Sequence, residues 1–371
     1  MLYFNSSFRA ALIAACLFTL GAPPAAAQSY AVEWSGGSVA RLPNLPGVTN
    51  AEARGINNSG QAVGFSNVFA SGLSGATMWS GGSVTQLPTF PGTIQALAFG
   101  VNNSGAMVGY NTVGDTNVAT EWSGGAIVNL GRLPAAWGSV ASGINDSGQI
   151  VGINYVGANW VAVEWSGGSI IQLPNLPGAT DSVAYGINNS GQVVGYSRVG
   201  GREVATEWSG GAVINLGGLP GARESNAIAI SDSGQVVGDS CAGSNCFAVE
   251  WNGGSITQLA NLPGATRSIA YDINKFGQIV GQSVAGENYI ATEWSGGSIN
   301  QLPNFPGTTG SSAYGINDLG QVVGESFGLI PPAPGPGPSG LAMISLVLAR
   351  LSASWALGAR RKPRPSHDAA S

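Results

Sequence analysis

Seven regularly spaced tryptophans are the residues best suited to ligand binding in this chain of 371 residues. An indole ring stacks well on a sugar ring, so one ring per repeat would give a repeated carbohydrate site. The competing interpretation, which we favour, is that each indole packs between neighbouring repeats. The series recurs at intervals of 45, 43, 43, 43, 43 and 43 residues. It consists of Trp34, Trp79, Trp122, Trp165, Trp208, Trp251 and Trp294, and all but the first are taken as candidate ligand-binding residues.

Asp272 is the acidic residue with the most unusual position. It stands where other repeats have glycine or alanine, on a face expected to line the axis of the repeat array, so it is a candidate ligand-binding residue. The alternative is a carboxylate solvated by channel water. A second acidic series is interpreted as a solvated strand face, because no further acidic position accompanies it as a metal site requires. That series is Glu33, Glu121, Glu164, Glu207, Glu250 and Glu293.

Few residues are available for catalysis. The single histidine, His367, lies near the C-terminus, so no Ser–His–Asp set can form within the repeats. A glycosidase needs only two carboxylates, so a carbohydrate-active hydrolase or lyase is the alternative to a binding protein. The acids mostly recur in every repeat, whereas an active site is confined to one region. We therefore predict no catalytic residue, no cofactor and no metal.

Cys241 and Cys246 are a close, isolated cysteine pair. In an exported protein such a pair predicts one disulfide, and two free thiols are the alternative.

The repeat itself predicts the fold. Each tryptophan is followed 23 positions later by a turn residue, which is Asn57, Asn102, Asn145, Asn188, Ser231, Asn274 or Asn317. Each unit contains four short runs typical of strands, separated by glycine-rich turns. Four strands in about 43 residues, repeated seven times, are typical of a β-propeller, whereas β-helix coils are shorter. We expect an all-β, seven-bladed β-propeller.

Small residues indicate which strand lies at the axis. One strand of every repeat carries alanine at a fixed place, which is Ala53, Ala98, Ala141, Ala184, Ala227, Ala270 or Ala313. Small side chains are needed where sheets converge, so this strand is expected to be innermost. The chain is then cut in mid-blade, and strands at 30–42 would complete a blade with strands at 311–327. Sharing one blade between both ends leaves no exposed sheet edge.

The units resemble the HAF repeat of extracellular bacterial proteins, which is named for a His-Ala-Phe sequence before a tryptophan. The matching elements are the strand Val204–Trp208, the segment Leu216–Leu219 and the run Gly186–Gly195. The resemblance recurs in all seven copies and implies an extracellular bacterial protein. It departs at Val204–Glu207, which stands where the family has His-Ala-Phe-Leu, so no role of that histidine is carried over.

The two ends predict export and sorting. Residues 1–27 have the layout of a signal peptide cleaved after Ala27; the alternative is a lipoprotein signal acylated at Cys16. The repeats span 28–328, followed by a proline- and glycine-rich linker at 329–339. An apolar segment with a basic cluster follows at 340–362, then a disordered tail at 363–371. This end resembles a degenerate PEP-CTERM sorting signal, which implies exosortase handling in Gram-negative bacteria. Arg350 within the apolar segment favours transient over stable membrane insertion.

The net charge of the repeats indicates which classes of partner the protein can bind. Residues 28–327 carry 18 acidic and 8 basic side chains, a balance of −10 that repels nucleic acid. We therefore expect a monomeric, secreted or cell-surface protein without enzymatic activity, binding or scaffolding at the cell surface. Its expected partner is an extracellular polysaccharide or another surface protein.

Overall fold

The computed structural model describes residues 27–68 and 73–329, and within these ranges all regular structure is β-strand. No helix in the described part of the chain is long and apolar enough to cross a membrane. The predicted signal peptide, linker, sorting signal and tail lie almost entirely outside the described residues. The prediction of an all-β fold is confirmed for the described residues.

Four strand types recur along the chain and are labelled in chain order. The strands that carry each repeat's tryptophan are β1 (Ala27–Ser35), β5 (Leu73–Ser80), β9 (Thr116–Ser123), β13 (Asn159–Ser166), β17 (Arg202–Ser209), β21 (Asn245–Asn252) and β25 (Asn288–Ser295). The short strands that follow are β2 (Ser38–Arg41), β6 (Ser83–Gln86), β10 (Ala126–Asn129), β14 (Ser169–Gln172), β18 (Ala212–Asn215), β22 (Ser255–Gln258) and β26 (Ser298–Gln301). The third type, called the inner strands below, comprises β3 (Asn50–Ile56), β7 (Thr93–Val101), β11 (Ala136–Ile144), β15 (Ala179–Ile187), β19 (Glu224–Ile230), β23 (Ala265–Ile273) and β27 (Gly310–Ile316). The last type comprises β4 (Ala62–Val68), β8 (Met107–Val113), β12 (Ile150–Val156), β16 (Val193–Val199), β20 (Val236–Ala242), β24 (Ile279–Ala285) and β28 (Val322–Leu329).

The strands pair in antiparallel groups of four. Five sheets have four strands, as in the order β15-β16-β17-β18. A sixth sheet contains two such groups, joined by a single parallel bridge between Ser74 and Gln95. One four-stranded sheet combines both ends of the described chain in the order β2-β1-β28-β27. Its β1 and β28 pair over eight positions, from Ala27–Leu329 to Trp34–Val322.

The inner strands contact one another in sequence, from β3 through β27 and back to β3. Their fixed alanine is buried in every copy, as predicted from its small size. The glycine two residues later also packs closely, because a Cβ on Gly143 would lie 2.7 Å from Tyr185 O of the next inner strand. Each inner strand pairs with the following strand of its own sheet, and every such pairing has a bulge between this alanine and the position two residues later. Small residues are therefore required where the inner strands approach one another.

The repeated tryptophans pack between neighbouring sheets. Trp208, for example, shares a buried cluster with Val151 and Ala162 of the preceding group and with Val193 of its own. The stacking role considered for the ligand candidates is wrong, since each ring is at most 4% exposed and no face is open to a sugar. The residues concerned are Trp79, Trp122, Trp165, Trp208, Trp251 and Trp294.

A hydrogen bond from the indole fixes most of these contacts. Where the preceding segment reads Leu-Pro, the Nε1–H group donates to the proline carbonyl, as from Trp208 to Pro174 O at 2.6 Å. Glycine with positive φ replaces this proline at Gly131 and Gly217. The bond to Gly131 O lengthens to 3.3 Å, and Trp251 Nε1, opposite the second glycine, has no partner among the described residues. The local backbone therefore sets the strength of the inter-sheet bond.

A second repeated contact, the asparagine latch, joins the turns after the inner strands. Asn188 is typical: its Oδ1 accepts the N–H groups of Ser190 and Gln192, which closes the turn. Its Nδ2 donates to Gln192 Oε1 at 2.8 Å and to Ser231 O of the next turn at 3.0 Å. The last latch joins the chain ends, from Asn317 Nδ2 to Asn57 O at 3.0 Å.

Five of the six repeated glutamates extend this network and are not merely a solvated face. Gln192 Nε2 donates to Glu207 Oε1 at 3.0 Å, and the equivalent pair from Gln321 to Glu33 crosses between the two ends of the chain at 2.9 Å. The strand-borne acid is therefore linked through glutamine to the latch asparagine.

Candidate functional site

A polar cavity of about 200 Å³ is surrounded by the latch turns. It is lined by the latch residues and by one aliphatic residue per inner strand, such as Ile187 and Ile273. The residue that follows each latch position also lines it, and we call this set the turn belt. The turn belt consists of Asn58, Asn103, Asp146, Asn189, Asp232, Lys275 and Asp318.

Hydrogen bonds run from one turn-belt residue to the next. In six of the seven members, the backbone N–H donates to the side chain of the next member, as from Asn103 to Asp146 Oδ1 at 2.8 Å and from Asp146 to Asn189 Oδ1 at 2.9 Å. Amides also bridge carboxylates laterally, because Asn189 Nδ2 lies 3.2 Å from Asp146 Oδ2 and 3.0 Å from Asp232 Oδ2. Alternating amides and carboxylates thus hold one another in position.

The sequence of contacts is interrupted between Asp232 and Lys275. A lysine has no acceptor atom, so it cannot receive the backbone N–H of Asp232 as an asparagine or aspartate would. The latch beneath is also changed, since Ser231 has no amide, and its Oγ pairs with Ser233 Oγ at 2.9 Å within its own turn. Both lateral bonds of the repeat are therefore lost at the same place, which we call the seam.

Lys275 instead turns towards the next copy. Its Nζ lies 3.1 Å from Asp318 Oδ2, which also accepts a bond from Asn58 Nδ2 at 2.8 Å. Burial raises the pKa of Asp318, but the bonds from Asn58 and Lys275 outweigh it and hold that pKa below its ordinary value. Asp318 is therefore an ionised acceptor at neutral pH.

Large apolar residues occupy one position in each of the two turns that follow the seam. The position after the turn belt is serine in the first five turns, but Phe276 and Leu319 occupy it in the last two. These side chains are 68% and 71% exposed, more than any other exposed large hydrophobic residue among the described ones. Lys275 Nζ lies 5.1 Å from the centre of the Phe276 ring. The sector around Lys275 thus combines a cation and a carboxylate that line the cavity with an exposed aromatic ring beside them, outside the lining.

This sector offers what recognition of a hydroxyl-rich ligand requires. Carboxylate and amide oxygens accept hydrogen bonds from hydroxyl groups, while amide and ammonium groups donate to them. An exposed aromatic ring adds an apolar face on which a sugar can stack. The remaining turns, with serine at the rim, lack that face.

The structure assigns Asp272 a structural role. Its Oδ1 accepts the N–H of Ile273, and its Oδ2 accepts the N–H of Ile316 on the next inner strand, both at 2.9 Å. Burial raises its pKa to about 7, although these two bonds lower it. Asp272 is not among the residues that line the cavity, and both its oxygens are engaged by backbone groups. Its role as a channel ligand is therefore not supported by this geometry.

Buried acids elsewhere lie outside the cavity lining. Glu52 is ion-paired with Arg54, and burial raises its pKa to about 8 although Arg54 lowers it. Burial likewise raises the pKa of Glu203 to about 7, with Arg198 3.4 Å away.

Cys241 and Cys246 are directly opposite each other on β20 and β21, and both are buried, so their disulfide stays a prediction. Cys241 Sγ donates to Asp239 Oδ2 at 2.7 Å, and Cys246 Sγ lies 3.9 Å from Ser244 O. The carboxylate beside Cys241 thus engages its sulfur.

The sequence analysis does not predict Lys275, Phe276 and Leu319 as site residues. Their turns resemble ordinary hairpin connections, and the most visible departure from the repeat is Asp272 on an inner strand. The signal was present in the repeats, because Asn-Ser-Gly or Asp-Ser-Gly in five turns becomes Lys275-Phe276-Gly277 in the sixth and Asp318-Leu319-Gly320 in the seventh.

Neither a protein-family model nor a curated protein sequence matches this chain. Among solved structures, it is similar to one from a study of two prolyl endopeptidases, with a TM-score of 0.54 and 9% identity over 77% of this chain and 50% of that one. The β-propeller domain of the trilobed protease from Pyrococcus furiosus gives a TM-score of 0.51 and 11% identity over 72% of this chain and 83% of that one. TolB from Acinetobacter baumannii gives 0.46 and 13% identity over 71% and 65%. At these identities the similarity shows the fold alone, which is a β-propeller.

Proposed function

We propose that this chain is a closed, seven-bladed β-propeller that acts outside the cell as a non-enzymatic binding module. Its ligand is an extracellular polysaccharide, which it binds at the seam of the cavity formed by the latch turns. The single observation that carries the proposal is the coincidence, in one sector, of the interrupted turn belt with the exposed ring of Phe276.

Closure is supported by three contacts between the chain ends. Strands β1 and β28 pair within one sheet, Asn317 latches onto Asn57 O, and the backbone N–H of Asp318 donates to Asn58 Oδ1 at 2.9 Å. A ring closed in this way has rigid blades and presents its turns in fixed positions. Rigid presentation lowers the entropy that a ligand must overcome on binding.

The location of the departures supports binding at this mouth. A residue that serves only the fold should recur in every copy, as the tryptophans and latch residues largely do. Lys275 replaces one lateral bond of the repeat with an ion pair to Asp318 that is half exposed and therefore weak, and Phe276 exposes a large apolar surface to solvent. Such a combination is typical of a ligand site on a regular scaffold.

The test is calorimetric titration of the secreted protein with extracellular polysaccharide from the producing organism. The variant Lys275→Asn/Phe276→Ser restores the sequence of the other turns, so it should fold at least as well. Loss of the aromatic face and the ammonium group should weaken binding about ten-fold or more.

Asp146→Asn is the matched control. It changes a turn-belt residue three copies from the seam and should leave the affinity unchanged. Equal loss in both variants would mean that binding is spread around the ring, and unchanged affinity in the double variant would refute the seam as the site. Shortened polysaccharide after incubation would favour the hydrolase or lyase alternative.

A further inference from the structure

Asp239, Cys241 and Cys246 form a compact buried group on neighbouring strands. Asp239 and Cys241 are two residues apart on β20 and so point to the same side of the sheet. Cys246 lies opposite Cys241 on β21, next to the two-residue turn that joins the strands. One carboxylate oxygen and the two sulfur atoms all lie within 4.8 Å of one another.

The group is confined to one copy. At the equivalent places, the next copy has Gln282, Val284 and Tyr289, and the other copies likewise lack cysteine. These positions vary among the copies, and a carboxylate recurs at the Asp239 position as Glu325 in the last copy. Only in this copy do a carboxylate and two thiols, all of them potential metal ligands, meet at one point. Two cysteines alone are explained by a disulfide, but a disulfide gives no reason for a buried carboxylate beside them.

The ligand types and spacing suit a zinc ion. Zinc prefers thiolate sulfur with nitrogen or carboxylate oxygen in tetrahedral geometry. Ligands about 2.3 Å from a tetrahedral ion are about 3.7 Å apart, so only small side-chain movements are needed from the observed spacing. Asp239 is only 3% exposed and both cysteines are buried, so the three ligand atoms are shielded from solvent.

We propose that Asp239, Cys241 and Cys246 bind a zinc ion. Each thiol loses its proton to solvent on binding, so two protons are released and two sulfur–zinc bonds form. Water occupies the fourth position. The bound ion joins β20 to β21 at the end of the sheet and holds both sulfurs as thiolates.

Zn²⁺ and Co²⁺ are the probes, added to the full chain after reduction and removal of reductant without oxygen. One equivalent of Zn²⁺ should bind, and Co²⁺ should give the near-ultraviolet charge-transfer absorption of thiolate ligands. Cys241→Ser and Cys246→Ser should abolish that absorption. Asp239→Asn should keep it but weaken binding roughly ten-fold or more, since even outer-shell changes cost 10–100-fold.

Cys16→Ser is the control for nonspecific thiol binding and should change nothing. The cobalt spectrum of the unsubstituted protein decides the question even if a cysteine variant fails to fold. No metal uptake by the reduced chain overturns the proposal, and so does unchanged uptake in both cysteine variants. Polysaccharide binding at the distant seam is measured separately, so either proposal can fail alone.

Discussion

Ser231→Asn should restore the latch that is missing at the seam. In the neighbouring copy, Asn188 Nδ2 donates to its own turn at 2.8 Å and to the next turn at 3.0 Å. Ser231 Oγ accepts the Gln235 backbone N–H at 3.1 Å and pairs with Ser233 Oγ at 2.9 Å, and both partners belong to its own turn. The substitution adds an amide whose acceptors, Gln235 Oε1 and Asn274 O, stand in the positions that the repeat supplies elsewhere.

The expected gain follows from two added hydrogen bonds. Each contributes a net 0.5–1.5 kcal/mol, and ordering the longer side chain offsets part of it, which leaves about 1–2 kcal/mol. The melting temperature should rise by a few degrees, as estimated from about 2–4 °C per kcal/mol in domains of 150–250 residues. Calorimetry and urea unfolding both measure the change. Asn188→Ser, the reverse substitution, should lower stability by a similar amount. An unchanged melting temperature in both variants would refute the latch as a stabilising contact.

Three further outcomes can be measured by denaturant unfolding. Trp208→Phe removes a buried hydrogen bond and leaves the Pro174 carbonyl without its donor. It should therefore lower the free energy of unfolding by about 1–3 kcal/mol more than Trp251→Phe, because Trp251 Nε1 has no partner in the described structure. Equal losses in the two variants would contradict this. Ala135 has a φ of 65° where other copies have glycine, so Ala135→Gly should raise the free energy of unfolding by about 0.5–1 kcal/mol. Gly264→Ala should lower it by a similar amount, since a Cβ there would meet no atom within 4 Å and only the positive φ opposes it. Changes of opposite sign would refute the argument. Burial raises the pKa of Glu52 from 4.5 to about 8, so the folded state binds its proton more tightly than the unfolded state does. The free energy of unfolding should therefore fall as the pH rises from 4.5 to about 8. Glu52→Gln should reduce this pH dependence, and an unchanged dependence would contradict the assignment.

The fold was largely predictable because its determinants are local and repeated. The tryptophan spacing, the glycine turns and the fixed alanine each constrain one strand type, and seven copies reinforce the same pattern. The pairing of the chain ends also followed from the position of Ala53 on the innermost strand. These features depend on side-chain size and strand period, which a sequence displays directly.

The candidate site could not be predicted from the sequence because it depends on contacts between copies. The latch needs Asn188 to reach a carbonyl 43 residues away, and spacing alone does not reveal that bond. Unless the bonds between neighbouring turns are known, Ser231 and Lys275 look like ordinary turn substitutions. The loss of lateral bonds at the seam cannot then be recognised. The reverse holds for Asp272. The sequence shows that it departs from the glycine or alanine of other copies, but it does not show the two backbone N–H groups that bind its carboxylate.

Hydrogen exchange of backbone amides, measured by mass spectrometry with and without polysaccharide fragments, tests the proposed site most directly. Binding at the seam should slow exchange at 274–278 and 317–321, with little change at the hairpin turn 157–158 near the other end of the strands. Protection confined to that hairpin, or to the outer strands, would contradict the account.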